Sequence, residues 1–287
     1  MLIQLLLQPL KYNFMQRSLI VAILVGLLCS IVGSYLMVQR LSLLGDAISH
    51  SVMPGLAIAF SIEAPMLFGA VLAAIISTLT IAWIHDQYPL KEDTAIGIVF
   101  ASFFALGITL ITIIQKEHKI DLNHFLFGNI LGVTAEDVIN TSLITCFVLL
   151  IIILLYKELL FYTFDSLGAA TVGLPVKELN FGLMTLVALT TVASMKAVGV
   201  VLVLALLIIP TATAYLLVNR LNQVMTIGAA LGVLSSILGM YFSYFFNIPS
   251  GPAIVLISSC FFCLVLLKHK LNHYLKLNWN NLEINKE

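Results

Sequence analysis

Charged residues are scarce in this sequence. Lys, Arg, Asp and Glu make up 10% of its 287 residues, and 61% of the residues are hydrophobic. A soluble domain carries about 25% charged residues, so this chain has too little polar surface to cover a soluble core. The 14 Lys and Arg balance the 14 Asp and Glu, and no basic stripe is present, so we expect no nucleic-acid partner. The composition predicts a polytopic membrane protein.

Several motifs of energy conversion and catalysis are absent. The chain has no Walker-type G-x-x-x-x-G-K-[ST] motif and no loop long enough to hold an ATP site. Active transport would therefore draw its energy from another chain or from an ion gradient. No H-E-x-x-H motif occurs either, which argues against an intramembrane metalloenzyme. The four cysteines all lie within apolar runs, where thiols are inert packing residues.

Nine apolar runs approach the length of about 20 residues that a bilayer core requires. The second and sixth runs are short enough to be re-entrant or fused with a neighbour. We therefore predict an all-α polytopic membrane helix bundle of eight to nine transmembrane helices, forming a single domain over residues 1–287. The predicted spans are 18–38, 46–61, 66–84, 94–115, 137–157, 178–195, 198–217, 223–246 and 252–268.

The distribution of Lys and Arg in short loops predicts the orientation of the chain. The tail 269–287 contains several basic residues and should be cytoplasmic. Nine spans place the loop 158–177 on that same side and leave the segment 1–16, which we expect to lie at the membrane interface, outside. Lys11 and Arg17 near the N-terminus, and Lys116 and Lys119 in the loop 116–136, oppose this assignment, so it is a majority assignment. A count of eight spans would move the N-terminus to the other side.

The stretch "LLGDAISHSVMPGLAIAF" (43–60) places two ionisable residues inside a predicted span. Asp46 is the one acidic residue within an apolar run, and His50 is the one histidine within a span; the others lie at span edges, in loops or in the tail. Residues four apart on a helix share one face, with about 5–6 Å between their Cβ atoms. Such residues usually face a bundle interior or a water-filled path.

Three interpretations of this pair stay open from the spacing alone. A carboxylate and an imidazole that converge on one point suit a divalent transition metal. They also suit a proton relay, or a mutual hydrogen bond that joins two helices. Asp46 and His50 do not complete a metal site, so a symmetric homodimer would have to double them, or water and backbone carbonyls could contribute. Met53 could add a sulfur but is more often a packing residue, and Pro54 predicts a kink nearby.

Long blocks of the sequence resemble a known family. "GDAISHSVMPGLAIAF" (Gly45–Phe60) resembles the signature of the membrane-spanning permease subunits of manganese, zinc and iron ABC importers, the ABC-3 type. The resemblance covers nearly the whole chain. The other matching blocks are "FMQRSLIVAILVGLLCSIVGSYLMVQRLSLLGDAISH" (Phe14–His50), "EDTAIGIVFASFFALGI" (Glu92–Ile108), "FLFGNILGV" (Phe125–Val133), "VGVVLVLALLIIPTATAYL" (Val198–Leu216) and "PSGPAIVLIS" (Pro249–Ser258).

This resemblance implies a homodimeric permease in the plasma or inner membrane. It also implies cytoplasmic ATP-binding subunits that hydrolyse ATP, so the chain itself would not be an enzyme, and an extracytoplasmic metal-binding protein that delivers the ion. Asp46 and His50 would be the metal ligands in the pore. No permanent cofactor is expected, and Mn²⁺ or Zn²⁺ would be the transported substrate. A site of oxygen and nitrogen donors without Cys favours Mn²⁺ slightly.

The segment "FDSLGAATVGLP" resembles the cytoplasmic coupling segment of that family. Asp165, Ala169, Gly173 and Pro175 match its pattern, whereas Ser166–Leu167 stand where relatives often have an acidic residue. A short segment of small residues can form a compact helix that docks in a cleft, although it could equally be an ordinary polar connection. Gly followed by Pro predicts a helix stop in either case.

A second function is consistent with the same residues. A gradient-driven, proton-coupled metal transporter would use Asp46 and His50 as its proton relay. Co-purification with an ATPase subunit would distinguish the two hypotheses, because a chain that functions alone favours the gradient-driven transporter.

Overall fold

The structure is a computed structural model that describes residues 8–114 and 130–284. Over these residues it is helical, without β-strands, because a helix satisfies its own backbone hydrogen bonds in an apolar environment. The α-helices are α1 (Asn13–Gln39), α2 (Leu44–Ser51), α3 (Met53–Ser61), α4 (Met66–Gln87), α5 (Glu92–Ile114), α6 (Ala135–Leu154), α7 (Tyr156–Phe164), α8 (Ser166–Thr171), α9 (Val176–Val198), α10 (Val200–Leu217), α11 (Leu221–Phe246) and α12 (Ser250–Ile284).

Eight of these described helices are long and apolar enough to cross a membrane. They are α1, α4, α5, α6, α9, α10, α11 and the part of α12 up to residue 270, and they confirm the predicted fold class. The second predicted span, 46–61, instead forms the two short helices α2 and α3, which are separated at Val52. Pro54 lies in the first turn of α3, a position where the missing backbone N–H of proline breaks no helical hydrogen bond.

Ion pairs and hydrogen bonds between helix ends show which ends share a face of the bundle. On one face, Asp86 at the end of α4 binds Lys177 at the start of α9, with 2.8 Å between Oδ2 and Nζ. On the opposite face, Asp137 at the start of α6 binds Lys196 at the end of α9, also at 2.8 Å. We call these the Asp86 face and the Asp137 face.

The broken pair of helices α2 and α3 also passes from one face to the other. Tyr162 of α7 hydrogen-bonds the side chain of Gln39 at the end of α1 and is influenced by Glu92 at the start of α5, so α1 ends at the Asp86 face. α3 reaches the start of α4, where Gly55 and Gly69 meet backbone to backbone. The broken pair α2–α3 therefore joins the same two faces of the bundle that the eight long helices join.

The interior is organised around α1 and α9, whose residues are mostly buried, whereas only 22% of the apolar stretch of each of α5, α6 and α12 is buried. α1 lies very close to its neighbours. A Cβ atom on Gly26 would lie 2.7 Å from Ser236 Oγ and 2.8 Å from the carbonyl oxygen of Gly232 in α11. A Cβ on Gly33 would overlap the carbonyl of Leu207 in α10. Such close backbone approach is how membrane helices gain packing energy where lipid is as apolar as the protein.

Several predicted boundaries differ from the observed ones. The predicted interfacial segment 1–16 lies outside the described residues up to residue 7; Pro9–Lys11 then form a single 3₁₀ turn and α1 starts at Asn13. Most of the predicted loop 116–136, and with it the first part of the block 125–133, also lies outside the described residues. In the predicted tail 269–287, α12 continues as a helix to Ile284, and residues 285–287 lie outside the described residues.

Candidate metal site and coupling segment

The short helix α2 positions Asp46 and His50. α1 ends at Arg40 in a left-handed backbone conformation (φ 63°), and a tight turn leads directly into α2. Asp46 lies in the first turn of α2 and His50 in its last turn. The carboxylate is therefore near the positive end of the helix dipole, a position that is favourable for an anion.

The two side chains lie side by side on the open face of an otherwise buried helix. His50 Nε2 is 3.6 Å from Asp46 Oδ1, too long for a hydrogen bond. The His50 side chain is 26% exposed and the Asp46 side chain 44%, whereas most of the other α2 residues are buried. The predicted convergence on one helix face is therefore observed. The geometry does not support a mutual hydrogen bond, and both donors stay accessible to an ion.

Two phenylalanine rings of α5 contact the His50 ring. The His50 and Phe100 ring centroids are 5.6 Å apart, and the His50 and Phe104 centroids 5.2 Å apart, both with edge-to-face orientation. The Nδ1 atom of His50 is buried and has no hydrogen-bond partner among the described residues. The aromatic contacts leave Nε2 as the ring nitrogen that lies next to the Asp46 carboxylate.

Met53 is a packing residue in this structure. It is buried in a small apolar cluster with Ala57 and Ile111, and α5 contacts it closely. A Cβ atom on Gly107 would lie 2.5 Å from Met53 Cβ and 3.1 Å from Pro54 Cδ. Within the described part of the chain, no group of three or more His, Cys, Asp or Glu side chains could hold a metal ion. One copy of the chain thus supplies Asp46 and His50 but not a complete ligand set.

The four predicted coupling residues shape one compact turn of helix. Asp165 is the N-cap of α8, and its carboxylate accepts a hydrogen bond from the backbone N–H of Gly168 at 2.8 Å. Ala169 is buried. Gly173 has a φ of 87°, which costs glycine little because it lacks a Cβ, and Pro175 directly precedes α9. The predicted helix stop is confirmed.

The outer side of α8 is apolar and exposed. Leu167 is 81% exposed and Val172, which directly follows the helix, is 70% exposed. Large apolar side chains this exposed at a bundle face often mark a surface that another protein covers. Leu167 is part of the Ser166–Leu167 pair that departs from the acidic residue common in the resembling family, so the expected contact here is apolar.

Two polar contacts join helix ends next to this segment. The Asp86–Lys177 ion pair joins α4 to the start of α9, and His85 Nε2 at the end of α4 lies 3.6 Å from Glu92 Oε1 at the start of α5. Burial and the nearby Glu92 carboxylate raise the pKa of Tyr162 to about 12, so this phenol stays neutral beneath the coupling turn. Sequence reasoning missed both these pairs and the two phenylalanines. The i, i+4 spacing of Phe100 and Phe104 in "IVFASFFALG" was the only signal for the latter.

A bundle that is helical over the described residues, with eight helices long and apolar enough to cross a membrane and a carboxylate–imidazole pair on a short helix packed among them, defines a polytopic membrane protein. Residues 11–269 match the model of the family described as "ABC 3 transport family". The chain therefore belongs to the ABC 3 transport family and is a multi-pass protein of the plasma membrane. The resemblance to permease subunits of metal ABC importers is confirmed.

Individual relatives agree with this assignment. The chain is 47% identical over 257 residues to a protein of Halalkalibacterium halodurans named manganese transport system membrane protein MntC, covering 90% of this chain and 88% of that one. It is 39% identical over 267 residues to the chelated iron transport system membrane protein YfeD of Yersinia pestis, covering 93% and 89%. A solved structure titled PsaBC from Streptococcus pneumoniae in complex with Fab superposes with a TM-score of 0.81 at 38% identity, covering 92% and 95%.

Proposed function

We propose that this chain is the permease subunit of an ABC importer that moves a divalent transition metal, with Mn²⁺ favoured and Zn²⁺ next. Support comes from the family membership and from the names of the relatives. The observation that carries the proposal is the placement of Asp46 and His50, whose side chains lie together on the accessible face of a helix that is otherwise buried and apolar. The carboxylate oxygen and imidazole nitrogen of this pair suit a divalent transition-metal ion.

The charge of the ion explains why such a costly pair is placed there. A divalent cation in hydrocarbon without ligands would face a very large desolvation cost. We propose that two copies of the chain form a homodimer and bring together two Asp46 carboxylates, which neutralise the ion, and two His50 rings. The imidazole nitrogens would discriminate against Mg²⁺ and Ca²⁺, which prefer shells of oxygen ligands.

The Asp86 face is proposed to be cytoplasmic. Lys and Arg are enriched in cytoplasmic loops, and basic residues are concentrated on this face. They are Arg40, Lys91, Lys157, Lys177, Arg220, Lys268 and Lys270. The coupling segment with Asp165, Ala169, Gly173 and Pro175 would then be positioned to bind a cytoplasmic ATPase subunit, with Leu167 and Val172 as apolar contacts. The binding protein that delivers the ion would dock on the Asp137 face.

Transport would then follow by rigid-body alternation. ATP hydrolysis on the partner subunits would move α8, and the Asp86–Lys177 pair would transmit that motion to α4. The gradient-driven, proton-coupled alternative is not favoured, because the chain belongs to an ABC transport family.

The test is metal uptake by cells that express the complete importer and lack their own manganese uptake systems. We expect Asp46→Ala and His50→Ala to reduce uptake of Mn²⁺ to background at normal protein levels. Asp93→Asn is the matched control, since it removes an exposed carboxylate at the start of α5. Parallel assays with Zn²⁺ and Fe²⁺ test the metal preference. Normal Mn²⁺ uptake by both alanine variants would contradict the proposed site.

A further inference from the structure

The orientation of the His50 ring needs a physical cause. A histidine that binds a metal through one ring nitrogen usually donates a hydrogen bond from the other nitrogen to a carboxylate, a carbonyl or water, and this bond fixes the ring. Here Nδ1 is buried without a hydrogen-bond partner among the described residues. At 3.6 Å, Asp46 does not hydrogen-bond Nε2 either. Something other than a hydrogen bond must hold the imidazole in place.

Two aromatic side chains, Phe100 and Phe104, contact the imidazole ring. The interplanar angles between the imidazole and these rings are 66° and 75°, the edge-to-face arrangement that aromatic quadrupoles favour. The two phenyl rings are also stacked on each other, with centroids 5.8 Å apart and 12° between their planes. Four residues apart on α5, they form one rigid aromatic surface against one side of the imidazole.

α5 is itself fixed against the broken helix. Gly107 lies seven residues after Phe100, on the same face of α5, and it lies against Met53 and Pro54 where α3 begins. Because only a glycine permits this approach, the position of α5 relative to the start of α3 is fixed at Gly107, three residues after Phe104. The backbone of α5 that carries the two rings therefore cannot move away from the broken helix unless α5 separates from α3.

We propose that Phe100 and Phe104 are positioning residues of the metal site. They turn Nδ1 of His50 into the protein and leave Nε2 facing the Asp46 carboxylate, so that Nε2 is the atom that binds the transported ion. Neither phenylalanine touches the ion; both act through His50. This inference rests on the proposed function, because it gives a role to a ligand of the proposed site.

Transport kinetics of the complete importer test the role. Phe100→Leu and Phe104→Leu keep apolar bulk but remove the aromatic ring. We expect each to raise the apparent KM for Mn²⁺ about three- to tenfold, the range that corresponds to the loss of one aromatic pair. Vmax should change by less than about twofold, because the variants weaken ion binding and not the transport step. Phe104→Tyr retains the ring, so its KM should equal that of the native protein. The matched control is Phe103→Leu, which makes the same change at a ring that packs against the main core.

A spectroscopic measurement covers variants that assemble poorly. Pulsed electron paramagnetic resonance of Mn²⁺ bound to the purified importer should detect a histidine nitrogen in the native protein and in Phe104→Tyr. The nitrogen signal should be weaker in Phe104→Leu at equal Mn²⁺ occupancy. A residue that served only the fold would lower the amount of protein, not the nitrogen coupling per bound ion.

The possible outcomes separate this inference from the proposed function. If Phe100→Leu and Phe104→Leu keep the KM and nitrogen signal of Phe103→Leu while Asp46→Ala and His50→Ala abolish uptake, the positioning role is wrong and the metal site stands. A fall in Vmax with an unchanged KM and an unchanged nitrogen signal overturns the positioning role as well. If the two alanine variants transport normally, the proposed function fails first.

Discussion

The contact between Gly55 of α3 and Gly69 of α4 gives a sharp prediction about packing. A Cβ atom on Gly55 would overlap the carbonyl oxygen of Gly69 and would lie 2.6 Å from the Cβ of Ala73. Carbon atoms in contact need roughly 3.5–4.0 Å, so α3 and α4 would have to separate by about 1 Å in Gly55→Ala. The opposing atoms are backbone and a Cβ, which cannot rotate away.

The expected magnitude follows from two opposing effects. Overpacking of a close contact costs about 1–3 kcal/mol. Replacing glycine by alanine within a helix contributes up to about 1 kcal/mol of stability. Gly97 of α5 isolates the second effect, because a Cβ there would have nothing within 4 Å. Gly97→Ala should therefore be neutral or slightly stabilising, and Gly55→Ala destabilising.

The stabilities of Gly55→Ala and Gly97→Ala can be compared by heating the detergent-solubilised importer and measuring the remaining folded protein by size-exclusion chromatography. We expect the Tm of Gly55→Ala to fall below that of Gly97→Ala by on the order of 5 °C. Because α3 directly follows α2, which carries the proposed metal ligands, Mn²⁺ uptake per molecule should fall in Gly55→Ala as well. Equal Tm values for the two variants would refute the inference that α3 and α4 meet backbone to backbone.

Two further predictions concern the ends of helices. Leu167→Asp places a charge on the exposed apolar side of α8, so we expect the ATPase subunit to be lost on affinity purification of the permease, whereas Asn180→Asp on α9 should retain it. Thr134 accepts a hydrogen bond from the N–H of Asp137 and closes a capping box at the start of α6; Thr134→Ala should cost about 1 kcal/mol and lower the Tm, while Thr134→Ser should not. Retention of the ATPase by Leu167→Asp, or an unchanged Tm in Thr134→Ala, would contradict the respective prediction.

The membrane helices could be predicted from the sequence because their length and hydropathy depend on the bilayer and not on the partners of each helix. Eight of the nine predicted spans correspond to long helices, and the Asp46–His50 pair was identified by its rarity in an apolar run. The resemblance placed the proposed coupling role on Asp165 and Gly173, and that role stays a prediction. The positions of Gly173 and Pro175 predicted where the short helix ends.

Other features could not be predicted from the sequence. The run 46–61 has the composition of a continuous span, and nothing in it distinguishes a break at Val52 from a kink at Pro54. Phe100 and Phe104 lie in an apolar helix where a lipid-facing phenylalanine is equally acceptable. Because lipid is as apolar as the protein interior, a membrane helix need not have a polar face that reveals its packing side. The face of α5 that meets His50 could be found only from three-dimensional contacts.

The shortness of α2 restricts how the proposed metal site can release an ion. Asp46 and His50 of one subunit belong to the same eight-residue helix, whose backbone hydrogen bonds keep their Cβ atoms at a constant spacing. No hinge inside α2 can therefore separate the backbone positions of these two residues to weaken ion binding. In the proposed homodimer, affinity for the ion would therefore depend on the distance between the two copies of α2, and a change in that distance would bind or release it.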